Sequence, residues 1–302
     1  MALAQAEMTE AALRAAHPGL EIERRIITTT GDRRTDVPLA EVAAAEGHLD
    51  KGVFIKELEV ALAAGEIDVA VHSLKDVPSE LEKGFQLAAV LERAPVGDVL
   101  VTKKTGGLDG LGEGSVVATS SVRRRRMLLS GRDDLQVVDI RGNVPTRLRK
   151  LAEQADLDGL ILAEAGLVRL GLLSEGLVTA GEVKLYAETL NTEWFFPAAG
   201  QGAVALEVRE GEEAVVELCR AINHAATETV VTAERAFLVL LGAGCDTPAG
   251  VRCEIDGEVL RMWARVFEEE EDWAMESMAE GPVADPRAVA QALKANLRRE
   301  QS

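Results

Sequence analysis

Three times between residues 115 and 166 a short apolar run breaks at small polar residues and hands over to a helical pattern or a turn. The stretches are "SVVATSS" into "VRRRRMLLSG", "LQVVDIRGN" into "VPTRLRKLAEQ", and "LDGLILAEAG". Strands and helices in alternation bury both kinds of apolar face as sheets covered by helices, so this feature points to an α/β design with parallel strands. Upstream, "LEIERRIITTTGD" alternates like a half-buried strand, and "KGVFIKELEVALAAGEI" carries the helical period with Val53, Leu58 and Leu62 on one face. "IDVAVHS" reads as a buried strand, and "EWFFPAAGQGAVALEVREG" as a Pro/Gly-rich crossing followed by a strand that returns to the first sheet. From residue 221 the pattern becomes a long helix, three strand-like runs and a closing helix with Pro286 in its first turn, an α+β tail.

A chain of 302 residues, 47% of them hydrophobic, has enough apolar side chains for two or three domains. Asp and Glu number 51 against 33 Lys and Arg, a net charge of -18, so the overall field repels nucleic acid and anionic membrane. An anionic ligand must be captured by a local cluster. The three cysteines, Cys219, Cys245 and Cys253, lack the pairing and CxxC spacing of a disulfide framework or a structural zinc site, which argues for a reducing compartment and no metal. The N-terminus reads as an amphipathic helix containing Glu7 and Glu10, and no apolar segment approaches ~18 residues, so a cytoplasmic location is expected.

Against that acidic average, Arg123, Arg124, Arg125 and Arg126 stand side by side just after Ser120 and Ser121, good N-cap residues. The first turn of a helix already carries partial positive charge, and stacking cations there is unfavourable unless an anion occupies the site. The arrangement recurs where Arg141 ends a strand, Gly142 and Asn143 turn, Pro145 suits a helix start and Arg147 follows. In parallel sheets the crevice outside the carboxyl ends of the strands is the ligand site, so Arg123, Arg124, Arg141 and Arg147 are expected to converge on one cleft. Successive helical residues are rotated by ~100°, which leaves Arg125 and Arg126 facing solvent or paired with acids. A basic surface for RNA is the alternative, but RNA surfaces use aromatic stacking and this chain is only 3% aromatic.

Two stretches hold reactive candidates. In "AVHSLKDVPSEL" a strand emerges at Ser73, and Lys75 and Asp76 follow in a turn held extended before Pro78. A carboxylate there can stabilise a cation or pass a proton, with the ammonium beside it orienting an acidic substrate; a plain surface Lys-Asp pair is the simpler reading. His72 reads as structural. In "LLGAGCDTPAG" Cys245 follows Gly242 and Gly244 in a loop that leaves the sulfur approachable, whereas Cys219 and Cys253 read as inert small hydrophobes.

Together "HSLKDVP", "TSSVRR", "RGNVPTRL", "LAEAGLVRLG", "PAAGQGAV" and "GAGCDTPAG" resemble, in order over nearly the whole chain, the porphobilinogen deaminase (hydroxymethylbilane synthase) family. The resemblance implies two periplasmic-binding-protein-like lobes with mixed, mainly parallel sheets, plus a C-terminal α+β domain. The boundaries expected are 1–95 with 200–220, 96–199, and 221–302. It implies a transferase that deaminates and polymerises four porphobilinogen units into hydroxymethylbilane on a dipyrromethane cofactor joined to Cys245 by a thioether. By the same carry-over Asp76 is the catalytic carboxylate with Lys75 beside it. Ser121, Arg123, Arg124, Arg141, Thr119 and Gln201 bind the cofactor, and Arg147, Arg169, Gln5, Lys51 and Phe54 the substrate and growing chain. A monomer without nucleic-acid or membrane partners is expected.

Two departures bear on these expectations. Relatives begin with a strand and an "RxGSRxSxLALxQ"-like segment, whereas this chain starts at "MALAQAE" and keeps only Gln5. A start placed too late, or a trimmed chain, is expected, with a sheet edge left unpaired and several kcal/mol of apolar burial lost. The stretch "PLAEVAAAEGHLDKGVFIKELE" is longer than the family's active-site loop, placing Glu46 and His48 in extra sequence before Lys51 and Phe54. A non-catalytic two-lobed polyanion receptor explains the arginines but not Cys245.

Overall fold

The computed structural model describes residues 1–29, 55–242, 247–268 and 274–300. The chain opens with α1 (Ala2–Ala16) and, after the undescribed stretch, α2 (Lys56–Ala63), followed by β1 (Ala70–Ser73), a 3-10 turn over Leu74–Asp76 and β2 (Phe85–Val90). Next come β3 (Asp98–Thr102), β4 (Val116–Ala118), α3 (Val122–Gly131), β5 (Gln136–Val138), α4 (Val144–Glu153), β6 (Gly159–Ala163) and α5 (Glu164–Arg169). The hairpin strands β7 (Leu173–Ser174), β8 (Leu177–Ala180) and β9 (Val183–Thr189) lead to β10 (Val204–Arg209) and α6 (Glu213–Arg220). The last part holds α7 (Ala225–Leu241), β11 (Ala249–Asp256), β12 (Val259–Phe267), β13 (Ala274–Pro282) and α8 (Pro286–Glu300).

The α/β architecture with a separate C-terminal α+β unit is observed. One sheet has the order β1-β10-β2, a second β5-β4-β6-β3-β9-β8-β7, and the third β11-β12-β13. The large sheet is mixed, but the expected dominance of parallel pairing is corrected. Among the described residues β4 runs parallel to β5 and β6, and every other pairing is antiparallel. The reason is local. Parallel neighbours need helical crossovers, which α3 and α4 supply, whereas β7, β8 and β9 are joined by tight turns with Glu175, Gly176 and Gly181 at positive φ.

The strand "LEIERRIITTTGD" is a second correction: residues 20–29 pair with no strand among the described residues, and Ile26 is 72% exposed. β1 is the edge of its sheet, with this segment on the far side of a cleft that both line. An alternating pattern makes a strand only where a neighbouring strand supplies a ladder.

The strand-to-helix turns are fixed by their caps. Ser121 Oγ accepts from the Arg124 amide at 3.4 Å and Asn143 Oδ1 from the Thr146 amide at 2.9 Å, each worth about 1 kcal/mol. Ser120 Oγ donates to the Ile140 carbonyl at 2.7 Å and accepts from the Ile140 amide at 3.0 Å, tying the two turns together. Behind them the sheet is packed on both faces, Val99, Val101 and Leu160 on one and Leu100, Val117 and Ile161 on the other. No helix among the described residues is long and apolar enough to cross a membrane.

Candidate active site

A cleft of about 1030 Å³ runs from the space between α1, residues 20–29 and β1 to the strand-to-helix turns of the large sheet. Gln5, Lys75, Asp76, Arg124, Arg147 and Arg169 line it. The Lys75–Asp76 turn reaches it because β1 ends at Ser73. The Leu74 amide donates to the Ala203 carbonyl at 3.0 Å and the Val77 amide to the Leu74 carbonyl at 3.1 Å, which closes the 3-10 turn and leaves Asp76 exposed. Gly200, at φ 70, lies against this turn so closely that a Cβ there would sit 3.0 Å from Leu74 Cγ and 3.2 Å from the Lys75 amide nitrogen.

Arg123 and Arg124 are both engaged on an internal carboxylate. Both are buried on Asp98, itself fully buried in β3: Arg123 Nη2 lies 2.8 Å from Oδ2 and Arg124 Nη2 2.7 Å from Oδ1. Arg123 also donates to the Phe196 carbonyl at 2.6 Å and Arg124 to the Ile161 carbonyl at 3.1 Å. Burial alone would raise the Asp98 carboxyl, but Arg123, Arg124 and Lys75 outweigh it and hold it below its ordinary range. Of the pair only Arg124 lines the cleft. Arg125 pairs with Asp139 at 3.0 Å and Arg126 donates to the Glu268 carbonyl at 3.0 Å, turned away as the helical rotation requires.

The remaining expected residues divide. Arg147 enters the cleft with its Nε donating to the Gly142 carbonyl at 2.6 Å; burial, then Arg124 and Arg141, push its guanidinium down to about 10, with Asp76 opposing. Arg141 therefore acts at Arg147 through its charge, although it does not line the cleft. Arg169 donates to the Gly202 carbonyl at 2.6 Å, and its Nε is buried without a hydrogen-bond partner among the described residues. Gln5 is buried and donates to Ser73 Oγ at 2.7 Å, at the strand end that precedes the turn. Thr119 and Ser121 lie in the turn before α3, where Thr119 Oγ1 accepts from the Ser121 amide at 3.2 Å. Gln201 is buried behind the cleft. Cys245, Lys51 and Phe54 lie outside the described residues, as do Glu46 and His48.

Burial, then Arg124, lower the Lys75 ammonium to about 8, with Asp76 and Asp98 opposing. Its Nζ donates to Gln201 Oε1 at 3.3 Å, and Gln201 Nε2 in turn reaches Asp98 Oδ1 at 3.1 Å. Sequence reasoning missed Asp98, Arg93, Glu234 and Arg235. Arg93 holds Glu234 through two bonds of 2.8 and 2.9 Å and the Gln201 carbonyl through a third of 2.8 Å. One signal was present: Asp98 is the only acid in the apolar run "VGDVLVT", and a buried carboxylate requires cationic partners. His72 Nε2 lies 2.9 Å from the buried Glu207, a structural pairing.

The cleft residues fit a polycarboxylate such as dipyrromethane. Lys75, Arg124, Arg147 and Arg169 share the cleft with Asp76, and the repulsion that Arg124 exerts on Lys75 and Arg147 falls when an anion enters. Burial raises the Cys219 thiol to about 11 and the Cys253 thiol well above its ordinary value, so neither suits attachment of a ligand through sulfur.

These features define an α/β protein with an arginine-lined cleft beside a lysine-aspartate turn. Residues 1–217 match the family model "Porphobilinogen deaminase, dipyromethane cofactor binding domain", and residues 228–299 "Porphobilinogen deaminase, C-terminal domain". The chain belongs to the porphobilinogen deaminase family. It is 48% identical over 257 residues to the porphobilinogen deaminase of Rubrobacter xylanophilus, covering 85% of this chain and 78% of that one. It is 42% identical over 289 residues to that of Syntrophotalea carbinolica, covering 96% and 86%. The periplasmic VFT2 domain of Bordetella pertussis BvgS aligns at 15% identity and a TM-score of 0.41 over 79% of this chain and 82% of that one.

Proposed function

We propose that this chain is a transferase that releases ammonia from porphobilinogen and joins four of the resulting units into hydroxymethylbilane on a dipyrromethane primer carried by Cys245. The observation that supports it most directly is the Lys75–Asp76 turn facing Arg124, Arg147 and Arg169 across one cleft. Every pyrrole of the substrate brings two carboxylates, and forked guanidinium donors hold such groups in fixed orientation. When bound, dipyrromethane supplies the free α-carbon to which the first unit is joined.

Asp76 is the catalytic residue of this reading. As the C–N bond of the aminomethyl group breaks, the electron pair leaves with ammonia and a cation develops on the methylene carbon. The exposed Asp76 carboxylate stabilises that charge and accepts the proton displaced when the new C–C bond forms. Lys75, held by Gln201, binds a substrate carboxylate and orients the ring. Arg147 and Arg169 hold the acetate and propionate groups, while Arg124, neutralised by Asp98, presents the amino end of α3 to them. Arg141 tunes Arg147 through its charge, and Thr119, Ser121, Arg123 and Gln201 keep the turns in place. Gln5 supports Ser73, and Lys51 and Phe54 bind substrate in this reading.

The protein acts as a cytoplasmic monomer in this reading, without nucleic-acid or membrane partners. The test is incubation of the purified protein with porphobilinogen, following ammonia release and bilane formation. Intact mass should exceed that of the polypeptide by two pyrrole units, lost on replacing Cys245 by Ser. Asp76→Asn should lower kcat about 10²–10⁴-fold with the melting temperature unchanged; wild-type turnover in that variant would remove Asp76 from the mechanism.

A further inference from the structure

Arg235 lies on α7, outside the cleft lining, and its guanidinium closes on three successive backbone carbonyls. Nη1 donates to Val77 at 3.3 Å, and Nη2 to Pro78 at 2.7 Å and Ser79 at 3.0 Å. These are the residues immediately after Asp76. Pro78 has no N–H, so the chain cannot tie itself down by a backbone donor there. The Leu74–Ala203 bond fixes the turn on its other side. Asp76 thus sits between a tether to β10's lead-in and a clamp from α7.

The clamp occupies a costly place. Burial pushes the Arg235 guanidinium down to about 10, and the Glu207 carboxylate works against that shift. A half-buried guanidinium persists where its donors find acceptors, and here three carbonyls serve. The preceding residue, Glu234, accepts from both Arg93 and the Gly200 amide, the latter at 2.7 Å. One helical step of α7 therefore grips the turn after Asp76, and the adjacent step grips the chain at Gly200 that packs against Leu74. The same helix runs on to Gly242, three residues before Cys245.

We propose that Arg235 is a positioning residue for the reaction: it holds the Val77–Ser79 backbone so that the Asp76 carboxylate keeps its place relative to the helix that leads to the cysteine. This deepens the functional reading above and rests on it. The chemistry needs the carboxylate fixed against the reacting carbon, and a misplacement of about 1 Å at such a site costs about 10²-fold in rate. Arg235 acts on the turn and not on the substrate's acidic groups, so its loss lowers kcat and leaves substrate affinity in place.

The experiment compares the full-length wild type with R235M and R235K. R235M should show kcat for porphobilinogen consumption lowered about 10²-fold with KM changed less than about twofold. R235K, whose single ammonium reaches fewer carbonyls, should fall between the two. Hydrogen exchange supplies a readout independent of activity: amides of residues 76–81 should exchange about tenfold faster in R235M, with those of β12 unchanged. Wild-type kcat, or unchanged exchange over 76–81, overturns the proposal. Should R235M fail to melt cooperatively, R235Q is read by the same two measurements. If the wild type does not consume porphobilinogen, the functional reading fails, and the exchange comparison still decides whether Arg235 holds the turn.

Discussion

Lys75 Nζ donates to Gln201 Oε1 across 3.3 Å, so the ammonium beside the proposed catalytic carboxylate is held by a side chain from the segment that leads into β10. Gln201 also donates to the Val96 carbonyl at 2.7 Å and to Asp98. Lys75 is thereby connected to the carboxylate that neutralises Arg123 and Arg124. A change at any of these groups is felt at the others through a low-dielectric network.

The first consequence is an alkaline limit. With its ammonium lowered to about 8, Lys75 is charged below that pH and neutral above it. The kcat/KM for porphobilinogen should fall as pH rises through about 8, and K75M should lack that limb. The fall is not unfolding. The folded pKa lies below the ordinary 10.5, so between about 8 and 10.5 the unfolded chain binds more protons and this group's contribution to stability rises with pH. A profile flat from pH 7 to 9 would remove Lys75 from substrate binding.

Asp98→Asn should destabilise the protein by about 3–5 kcal/mol, because two buried guanidinium groups lose their counter-charge. The measurement is the urea midpoint at constant m-value. Since the carboxyl is held below its ordinary range, its contribution is present above about pH 4 and is lost as pH falls through the lowered value. The variant should therefore show a shallower loss of stability in acid. A shift under about 1 kcal/mol would mean that water or relaxation replaces the pair.

Citrate should raise the melting temperature more than acetate at matched ionic strength, because several carboxylates engage several cations of the cleft at once. Binding at a hundredfold excess over Kd is worth about 2.7 kcal/mol. R147A should lose most of the citrate increment. Equal effects of citrate in the two proteins would place the anion elsewhere.

Much of this arrangement was legible in the sequence because it is local. The change between periods of 2 and 3.6 gave the strand-to-helix order, and Ser121 does cap α3 as its residue type suggests. Rotation about the helix axis separated Arg125 and Arg126 from their neighbours. What escaped depends on contacts far apart in the chain: Arg93 with Glu234, Arg124 with Asp98, and Arg235 with Val77, Pro78 and Ser79. The direction of strand pairing escaped for a similar reason. Alternation suggests parallel neighbours, whereas the Glu175–Gly176 turn returns the chain beside itself. Residues 20–29 have strand chemistry and no adjoining ladder among the described residues, which the alternation itself does not show.

The hydroxyl of Ser120, bonded to both backbone groups of Ile140, acts as a rivet between the roots of α3 and α4. Arg124 and Arg147 accordingly stand at a set gauge. In the proposed reading, a ligand that gains a ring in this groove finds Arg124 and Arg147 at one separation, so the accommodation of the added ring falls to the ligand's own path and to the opposing wall at Lys75 and Asp76.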